Sequence, residues 1–206
     1  MRHTIIAKKD FKYYSIFLPG MLKEHVTFPI FFIAFVYFVF RVIIKRDYTK
    51  HKKLSPVSIL LELLVFAIHA NSIYIFLPTE WPNLPHLPEN KVLIIISTII
   101  LSSGIIILFY SWLNLGTKPS LGLDKNKLIS KGFYSYSRNP QLLGYGLILI
   151  TFVILYFSWL ILFWLLQYIL ISYFMIKTEE EFLRQKYKEK YTDYCLQVPR
   201  IIKFKK

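Results

Sequence analysis

The run QLLGYGLILITFVILYFSWLILFWLLQYILISYFMI extends from Gln141 to Ile176 and contains no Asp, Glu, Lys or Arg. A helix that crosses the hydrocarbon core of a bilayer needs about 20 apolar residues. The 36 residues of this run are therefore enough for two shortened or tilted spans, joined by a tight turn that we place near Phe157 and Ser158. The run predicts a helical hairpin inside a membrane.

Three further apolar runs come earlier in the chain: Phe28–Ile44, Pro56–Leu77 and Val92–Leu113. Of the 206 residues, 55% are hydrophobic, above the roughly 45–50% of soluble domains. We predict an all-α polytopic membrane protein with about five transmembrane helices and a cytoplasmic amphipathic C-terminal helix. Its expected parts are an interfacial or re-entrant segment, three transmembrane helices, and a region of loop, helix pair and C-terminal helix, at residues 1–27, 28–113 and 114–206.

Basic residues alternate along the chain. Six Lys or Arg lie between residues 41 and 53, five between 118 and 138 and nine between 177 and 206, whereas residues 78–90 contain none. This pattern follows the positive-inside rule and predicts a cytoplasmic C-terminus. Five more basic residues occur before Thr27. An odd number of spans places them outside, so we expect that segment to lie on the membrane surface or to re-enter it.

The net charge of +14 has two interpretations. It attracts anionic lipid headgroups, at about 1 kcal/mol per basic residue near the surface, or it only sets topology. Because the charge is spread over separate loops without a binding motif, the sequence argues against nucleic-acid binding. Cys195 is the single cysteine, which excludes an intramolecular disulfide and a multi-cysteine metal site. We expect no metal.

Three ionisable residues interrupt the first two apolar runs. Arg41 is near the end of its run, where its side chain can extend towards the headgroups. Glu62 and His69 are seven residues apart, which places them on one helix face, two turns from each other. Such groups usually face a bundle interior or a wet cavity. They either line a site or a proton path, or form interhelical hydrogen bonds that fix packing.

The stretch RNPQLLGYG, which begins at Arg138, has the features of a helix start. Asn139 is a good N-cap, and Pro140 suits the first turn. Helix N-termini bind anions, and Arg138 adds a forked positive group beside this one. Gly144 and Gly146 follow roughly one turn further in, where they allow either a flat ligand or another helix to approach the backbone.

The stretch KTEEEFLRQKYKEKYTDYCLQVPR, which begins at Lys177, supplies carboxylates. Thr178 and Glu181 have the spacing of a capping box, which predicts a helix start there. Glu179 and Glu180 either complement a cationic ligand or interact with that helix N-terminus. Apolar and tyrosine side chains then recur at helical spacing, and they predict an amphipathic helix on the cytoplasmic surface or over the bundle: Leu183, Tyr187, Tyr191, Tyr194 and Val198.

The two stretches lie on the same side of the membrane by the charge pattern. One offers a cation and anion-binding backbone, and the other offers carboxylates. Tyr134, Tyr136 and Tyr145 add aromatic faces, which stabilise cations as carboxylates do. Together they predict a zwitterionic or nucleotide-like ligand at the cytoplasmic membrane surface, such as one with a carboxylate, a ribose and a sulfonium.

At these residues the sequence resembles the isoprenylcysteine carboxyl methyltransferase and phospholipid methyltransferase families of integral membrane enzymes. The motif residues that carry the resemblance occur in order, with a span pair between the two groups: Leu128, Gly132, Tyr134, Arg138, Asn139, Pro140 and Gly144, then Glu179, Glu180, Tyr187, Tyr191, Tyr194, Val198 and Pro199. Two positions depart from the pattern, because Lys188 replaces a glycine and Met175 replaces the arginine of the prenylcysteine enzymes. The second departure leaves a phospholipid amine, another lipid or a small apolar acceptor open.

The resemblance implies S-adenosylmethionine as methyl donor and a lipophilic acceptor that enters from the bilayer. It implies that Glu179 and Arg138 are catalytic. The cofactor pocket is expected to be formed by eight residues: Tyr134, Arg138, Asn139, Pro140, Gly144, Gly146, Glu179 and Glu180. Two alternatives remain at this point, an NADPH-dependent membrane reductase of the sterol type and a non-catalytic lipid-binding protein. The adjacent glutamates argue against the phosphate-rich NADPH.

Overall fold

The computed structural model describes residues 27–77, 79, 83–116 and 128–202. Within them the chain is all-α, as predicted, and forms six helices and no strand. The helices are α1 (Thr27–His51), α2 (Pro56–Phe76), α3 (Lys91–Leu115), α4 (Pro140–Leu155), α5 (Trp159–Tyr187) and α6 (Glu189–Gln197). A 3₁₀ turn at Gly132–Ser135 precedes α4. The expected interfacial segment at the N-terminus and most of the basic loop after α3 lie outside the described residues.

Four of the described helices, α1, α2, α3 and α5, are long and apolar enough to cross a membrane. The fifth, α4, is a shorter apolar helix of 16 residues, about 24 Å at 1.5 Å per residue. The predicted hairpin is confirmed, because α4 ends at Leu155 and α5 begins at Trp159. Ser158 caps α5, since its side chain accepts a hydrogen bond from the Ile161 N–H at 3.2 Å.

Helix α5 is the centre of the bundle and contacts α1, α2, α4 and α6. Its apolar side chains Trp164 and Ile171 are almost fully buried. Helix α3 packs mainly along α4, and most of its large apolar side chains are exposed. In a membrane protein such an apolar helix surface suits contact with lipid.

Helices α3 and α4 touch through glycine. A Cβ atom on Gly144 would lie 2.6 Å from the Leu108 backbone nitrogen and 2.7 Å from the Gly104 carbonyl oxygen. One on Gly104 would lie 2.8 Å from the Gly144 carbonyl oxygen. These distances leave no room for a side chain, so the two backbones meet directly, as at many helix contacts in membranes.

His69 has a packing role in the core of the bundle. Its ring is buried, with Nδ1 at 3.1 Å from the Tyr145 hydroxyl and Nε2 at 3.2 Å from the Trp164 carbonyl oxygen. It stacks on the Trp164 ring at 5.2 Å between centroids, and the Trp164 indole N–H donates to the His69 carbonyl oxygen at 2.8 Å. For His69 the interpretation as an interhelical hydrogen bond that fixes packing is confirmed.

Arg41 joins α1 to α5. Its guanidinium donates to Thr178 Oγ1 at 3.1 Å and to Glu181 at 2.9 Å, and Lys45 also pairs with Glu181 at 2.9 Å. The expectation that Arg41 extends towards the headgroups stays a prediction. The capping-box prediction is wrong, because α5 continues unbroken through Thr178 and the Thr178 hydroxyl donates to the Phe40 carbonyl oxygen at 3.1 Å.

This contact coincides with an irregularity in α1. Residues Val39–Ile44 form a π-helical segment, which includes both Phe40 and Arg41. Short π segments shift the hydrogen-bond ladder by one residue and occur often at functional sites. Here the segment lies where α1 meets the C-terminal part of α5.

Candidate functional site

A cleft opens at the end of the bundle where α1, α4, α5 and α6 come together. The empty space between its walls is about 1020 Å³, which includes the part open to solvent. Its wall is formed by the following residues: Phe40, Ile44, Tyr48, Leu54, Glu62, Leu115, Leu128, Ile129, Tyr134, Arg138, Asn139, Gln141, Leu142, Met175, Glu179, Glu180, Leu183, Tyr187, Tyr191 and Tyr194.

An ion-pair network occupies the polar side of the cleft. Glu180 accepts from Arg138 Nη1 at 2.8 Å and from Arg200 Nη2 at 2.6 Å. The Glu180 and Arg138 side chains are only 7% and 10% exposed, whereas Arg200 is 55% exposed. A buried carboxylate between two guanidinium groups holds both in place, so Glu180 fixes the position of Arg138.

The guanidinium of Arg138 has two further features. Its Nη1 also contacts Cys195 Sγ at 2.7 Å. Its Nε is buried and has no hydrogen-bond partner among the described residues. A buried donor without a partner is costly.

The start of α4 is hydrogen-bonded to Pro199 and Arg200, which follow α6. The Arg138 N–H donates to the Pro199 carbonyl oxygen at 3.0 Å, and the Asn139 side-chain amide donates to the Arg200 carbonyl oxygen at 3.0 Å. The Asn139 N–H donates to Ser137 Oγ at 3.1 Å. Asn139 occupies the N-cap position of α4 as predicted, but its side chain makes no cap hydrogen bond. The backbone N–H groups of Arg138 and Asn139 are used within the chain, and Pro140 begins the helix as predicted.

Tyrosines form much of the remaining polar wall. Tyr194 donates its hydroxyl to the Tyr134 carbonyl oxygen at 2.6 Å. Burial raises the pKa of the Tyr191 hydroxyl, and Glu180 raises that pKa further. Burial also raises the pKa of Tyr194, although Arg138 opposes the shift. Both hydroxyls are therefore neutral at physiological pH and can donate hydrogen bonds.

Five of the eight predicted cofactor-site residues line this cleft: Tyr134, Arg138, Asn139, Glu179 and Glu180. The other three are not part of its wall. Pro140 and Gly144 are buried in helix packing, and a Cβ on Gly146 would lie 3.2 Å from the Tyr168 ring. The backbone of Gly144 is covered by α3 and is not open to a ligand. Pro140, Gly144 and Gly146 therefore do not line the described cleft.

The expected aromatic faces divide in the same way. Tyr134 lines the cleft, but Tyr136 is 63% exposed outside it. Tyr145 packs inside the bundle against Phe66 and His69. Of the three tyrosines predicted near Arg138, only Tyr134 therefore lines the cleft.

The N-terminal half of the chain contributes residues that motif analysis did not assign to the site. Phe40, Ile44, Tyr48 and Leu54 form an apolar wall, and no sequence signal separates them from ordinary lipid-facing residues. Glu62 also lines the cleft, and its charge within an apolar run was the signal that marked it. Among the described residues, no group of three or more His, Cys, Asp or Glu is placed to hold a metal ion.

A family model described as phospholipid methyltransferase matches residues 92–190, about half of the chain. The match extends from α3 through α4 and α5 to the start of α6, so it contains Arg138, Glu179 and Glu180. No curated protein and no solved structure matches the chain.

Proposed function

Because the chain belongs to the phospholipid methyltransferase family, we propose that the cleft is the place where the methyl group of S-adenosylmethionine is transferred. Membership indicates the reaction, S-adenosylmethionine-dependent methylation of a phospholipid-type acceptor by a multi-pass membrane enzyme. The residues that carry out this reaction are our proposal.

The observation that supports this placement is that two adjacent glutamates have different surroundings. Glu180 is held by Arg138 and Arg200, so its role is to position Arg138. Glu179 is its neighbour on α5 and lines the cleft. We assign Glu179 to the cationic part of the donor and Arg138, which lines the same cleft, to the donor carboxylate. Both residues thus contact the cofactor.

The chemistry supplied by S-adenosylmethionine is an electrophilic methyl group on a positive sulfur. The chain has to hold donor and acceptor in contact, and such positioning can supply much of the rate. The Tyr191 hydroxyl adds a neutral donor to the cofactor side, whereas the Tyr194 hydroxyl already donates to the Tyr134 carbonyl oxygen. The apolar wall at Phe40 and Ile44 continues into the bundle, and it suits an acyl chain that arrives from the bilayer.

We propose that the cleft faces the cytoplasm. The basic residues near the cleft end, including Lys45 and Lys186, support this orientation by the positive-inside rule. The same charges attract anionic lipid headgroups, which would hold the open end of the cleft at the membrane surface.

The reductase alternative fits the described lining poorly. NADPH carries a pyrophosphate and a 2′-phosphate, whereas the charged residues of this wall are one arginine and three glutamates. One arginine is a poor match for these phosphates, whereas the carboxylates of this wall suit a sulfonium.

Titration calorimetry on the purified protein in detergent tests the proposal. We expect micromolar binding of S-adenosylmethionine and none of NADPH. Glu179→Gln should weaken binding about tenfold or more, because a hydrogen bond to a charged group contributes roughly 1.5–3 kcal/mol. The matched control is Glu189→Gln, an exposed glutamate at the start of α6. Equal affinities for the wild type and Glu179→Gln would refute the assigned role of Glu179.

A further inference from the structure

Glu62 is the charged residue that α2 contributes to the cleft. It lies six residues after Pro56, the first residue of α2, or about 9 Å along the helix axis. It precedes the family match at residues 92–190, so the motifs of the matched region assign it no role. Its side chain is half-buried, unlike that of His69 two turns further along the same helix face.

The cleft has two sides that meet across α5. The polar side comes from α4, the end of α5 and α6, and it carries the network of Arg138 and Glu180. The other side comes from α1, the segment that follows it and α2. That side is apolar apart from Tyr48 and Glu62. If the donor occupies the polar side, the acceptor lies against the side that contains Glu62.

The described lining carries carboxylates on both sides. Glu62, Glu179 and Glu180 all line the cleft together with Arg138. Glu180 pairs with Arg138 and with Arg200 at the edge, and we assign Glu179 to the donor. Glu62 is the carboxylate that the described lining contributes on the acceptor side.

An amine acceptor needs such a group for a chemical reason. Its nitrogen is protonated at neutral pH and has no lone pair to attack a methyl group until the proton is removed. A carboxylate in a partly buried cleft attracts the ammonium strongly and can take its proton. An ionisable residue inside a membrane span is costly to keep, and it usually marks a functional site.

We propose that Glu62 binds the ammonium group of the acceptor lipid and removes its proton before methyl transfer. The proton moves from nitrogen to the Glu62 carboxylate. The nitrogen lone pair then forms a bond to the methyl carbon while the carbon–sulfur bond breaks and its electron pair stays on sulfur. The methylated ammonium leaves, and Glu62 releases its proton to water. This inference rests on the proposed methyl transfer in the cleft.

The test uses the full chain in nanodiscs that contain phosphatidylethanolamine, with radiolabelled S-adenosylmethionine, for the wild type, Glu62→Gln and the control Glu89→Gln. Glu89 is an exposed residue in the segment before α3. At pH 7 we expect Glu62→Gln to lower kcat about 10²–10⁴-fold, the usual contribution of a general base. S-adenosylmethionine affinity and thermal stability should stay at the wild-type values.

The pH profile separates this role from a structural one. Activity of Glu62→Gln should rise about tenfold per pH unit between pH 7 and pH 9, because the free amine fraction rises by that factor below the amine pKa. A variant with kcat within threefold of the wild type, or with an unchanged pH profile, overturns the role of Glu62. A wild type that binds S-adenosylmethionine but methylates no amine lipid also overturns it and leaves the donor site standing. A wild type that does not bind S-adenosylmethionine overturns both proposals.

Discussion

Replacing Gly144 by alanine tests whether this glycine serves helix packing or the cofactor site. The new Cβ would lie 2.6 Å from the Leu108 nitrogen and 2.7 Å from the Gly104 oxygen. Both are backbone atoms, which cannot rotate away. The two helices would have to separate by roughly 0.8 Å to restore a contact of 3.4 Å, and the rest of their interface would lose dispersion energy.

Overpacking of this kind costs about 1–3 kcal/mol. We expect Gly144→Ala to lose about 2 kcal/mol of unfolding free energy, although alanine is the better helix former by up to about 1 kcal/mol. The matched control is Gly146→Ala on the same helix. Its Cβ would meet only the Tyr168 ring, at 3.2 Å. This contact is longer and involves a side chain rather than backbone, so the control should lose less stability than Gly144→Ala, about 1 kcal/mol or less.

The measurement is unfolding by sodium dodecyl sulfate in mixed micelles, followed by tryptophan fluorescence, together with S-adenosylmethionine binding to the folded fraction. Gly144→Ala should lose stability and keep its affinity, because Gly144 does not line the cleft. The opposite result, wild-type stability with binding abolished, would refute this reasoning and return Gly144 to the cofactor site.

Three further changes have defined outcomes. Glu180→Gln leaves the guanidinium of Arg138 buried without its charged partner, and it should cost about 3–5 kcal/mol of stability; a loss below about 1 kcal/mol in the same unfolding assay would contradict the network. Arg41→Met should destabilise the α1–α5 contact by about 1–3 kcal/mol, since its hydrogen bonds include one to a charged group, and Arg46→Met is an exposed control. The pKa values of Tyr191 and Tyr194 are raised in the folded state, so the folded chain keeps protons that the unfolded chain loses at high pH. The contribution of these two tyrosines to stability should therefore be constant below about pH 9. Above about pH 10 it should fall by up to about 2.7 kcal/mol per pH unit. The decline should be shallower when both tyrosines are replaced by phenylalanine.

Much of the architecture could be read from composition. The 36-residue apolar run predicted two spans and a turn near Phe157, and the helices α4 and α5 meet at that turn. Such predictions succeed because a membrane forces every spanning segment to satisfy its own backbone hydrogen bonds, so an apolar stretch of sufficient length has few alternatives to a helix.

Helix ends and partners were less predictable. Thr178 and Glu181 have the spacing of a capping box, yet α5 continues through them and they bind Arg41 on α1 instead. Asn139 stands where an N-cap is expected, but its side chain bonds to the Arg200 carbonyl oxygen. Local motifs describe what a side chain can do with its own helix. They contain no information on a partner that arrives from a distant part of the chain.

The sequence by itself determined that this is an all-helical membrane protein whose polar motifs flank a pair of spans, since apolar length and charge order act locally along the chain. Only the tertiary structure decided which motif residues share a cleft. It brought Arg138, Glu179 and Glu180 together, buried Gly144 against α3, and added Glu62 from α2. The physical reason is that a glycine or a carboxylate acquires its role from the helix packed against it, and the neighbours of a helix are set by the packing of the whole bundle.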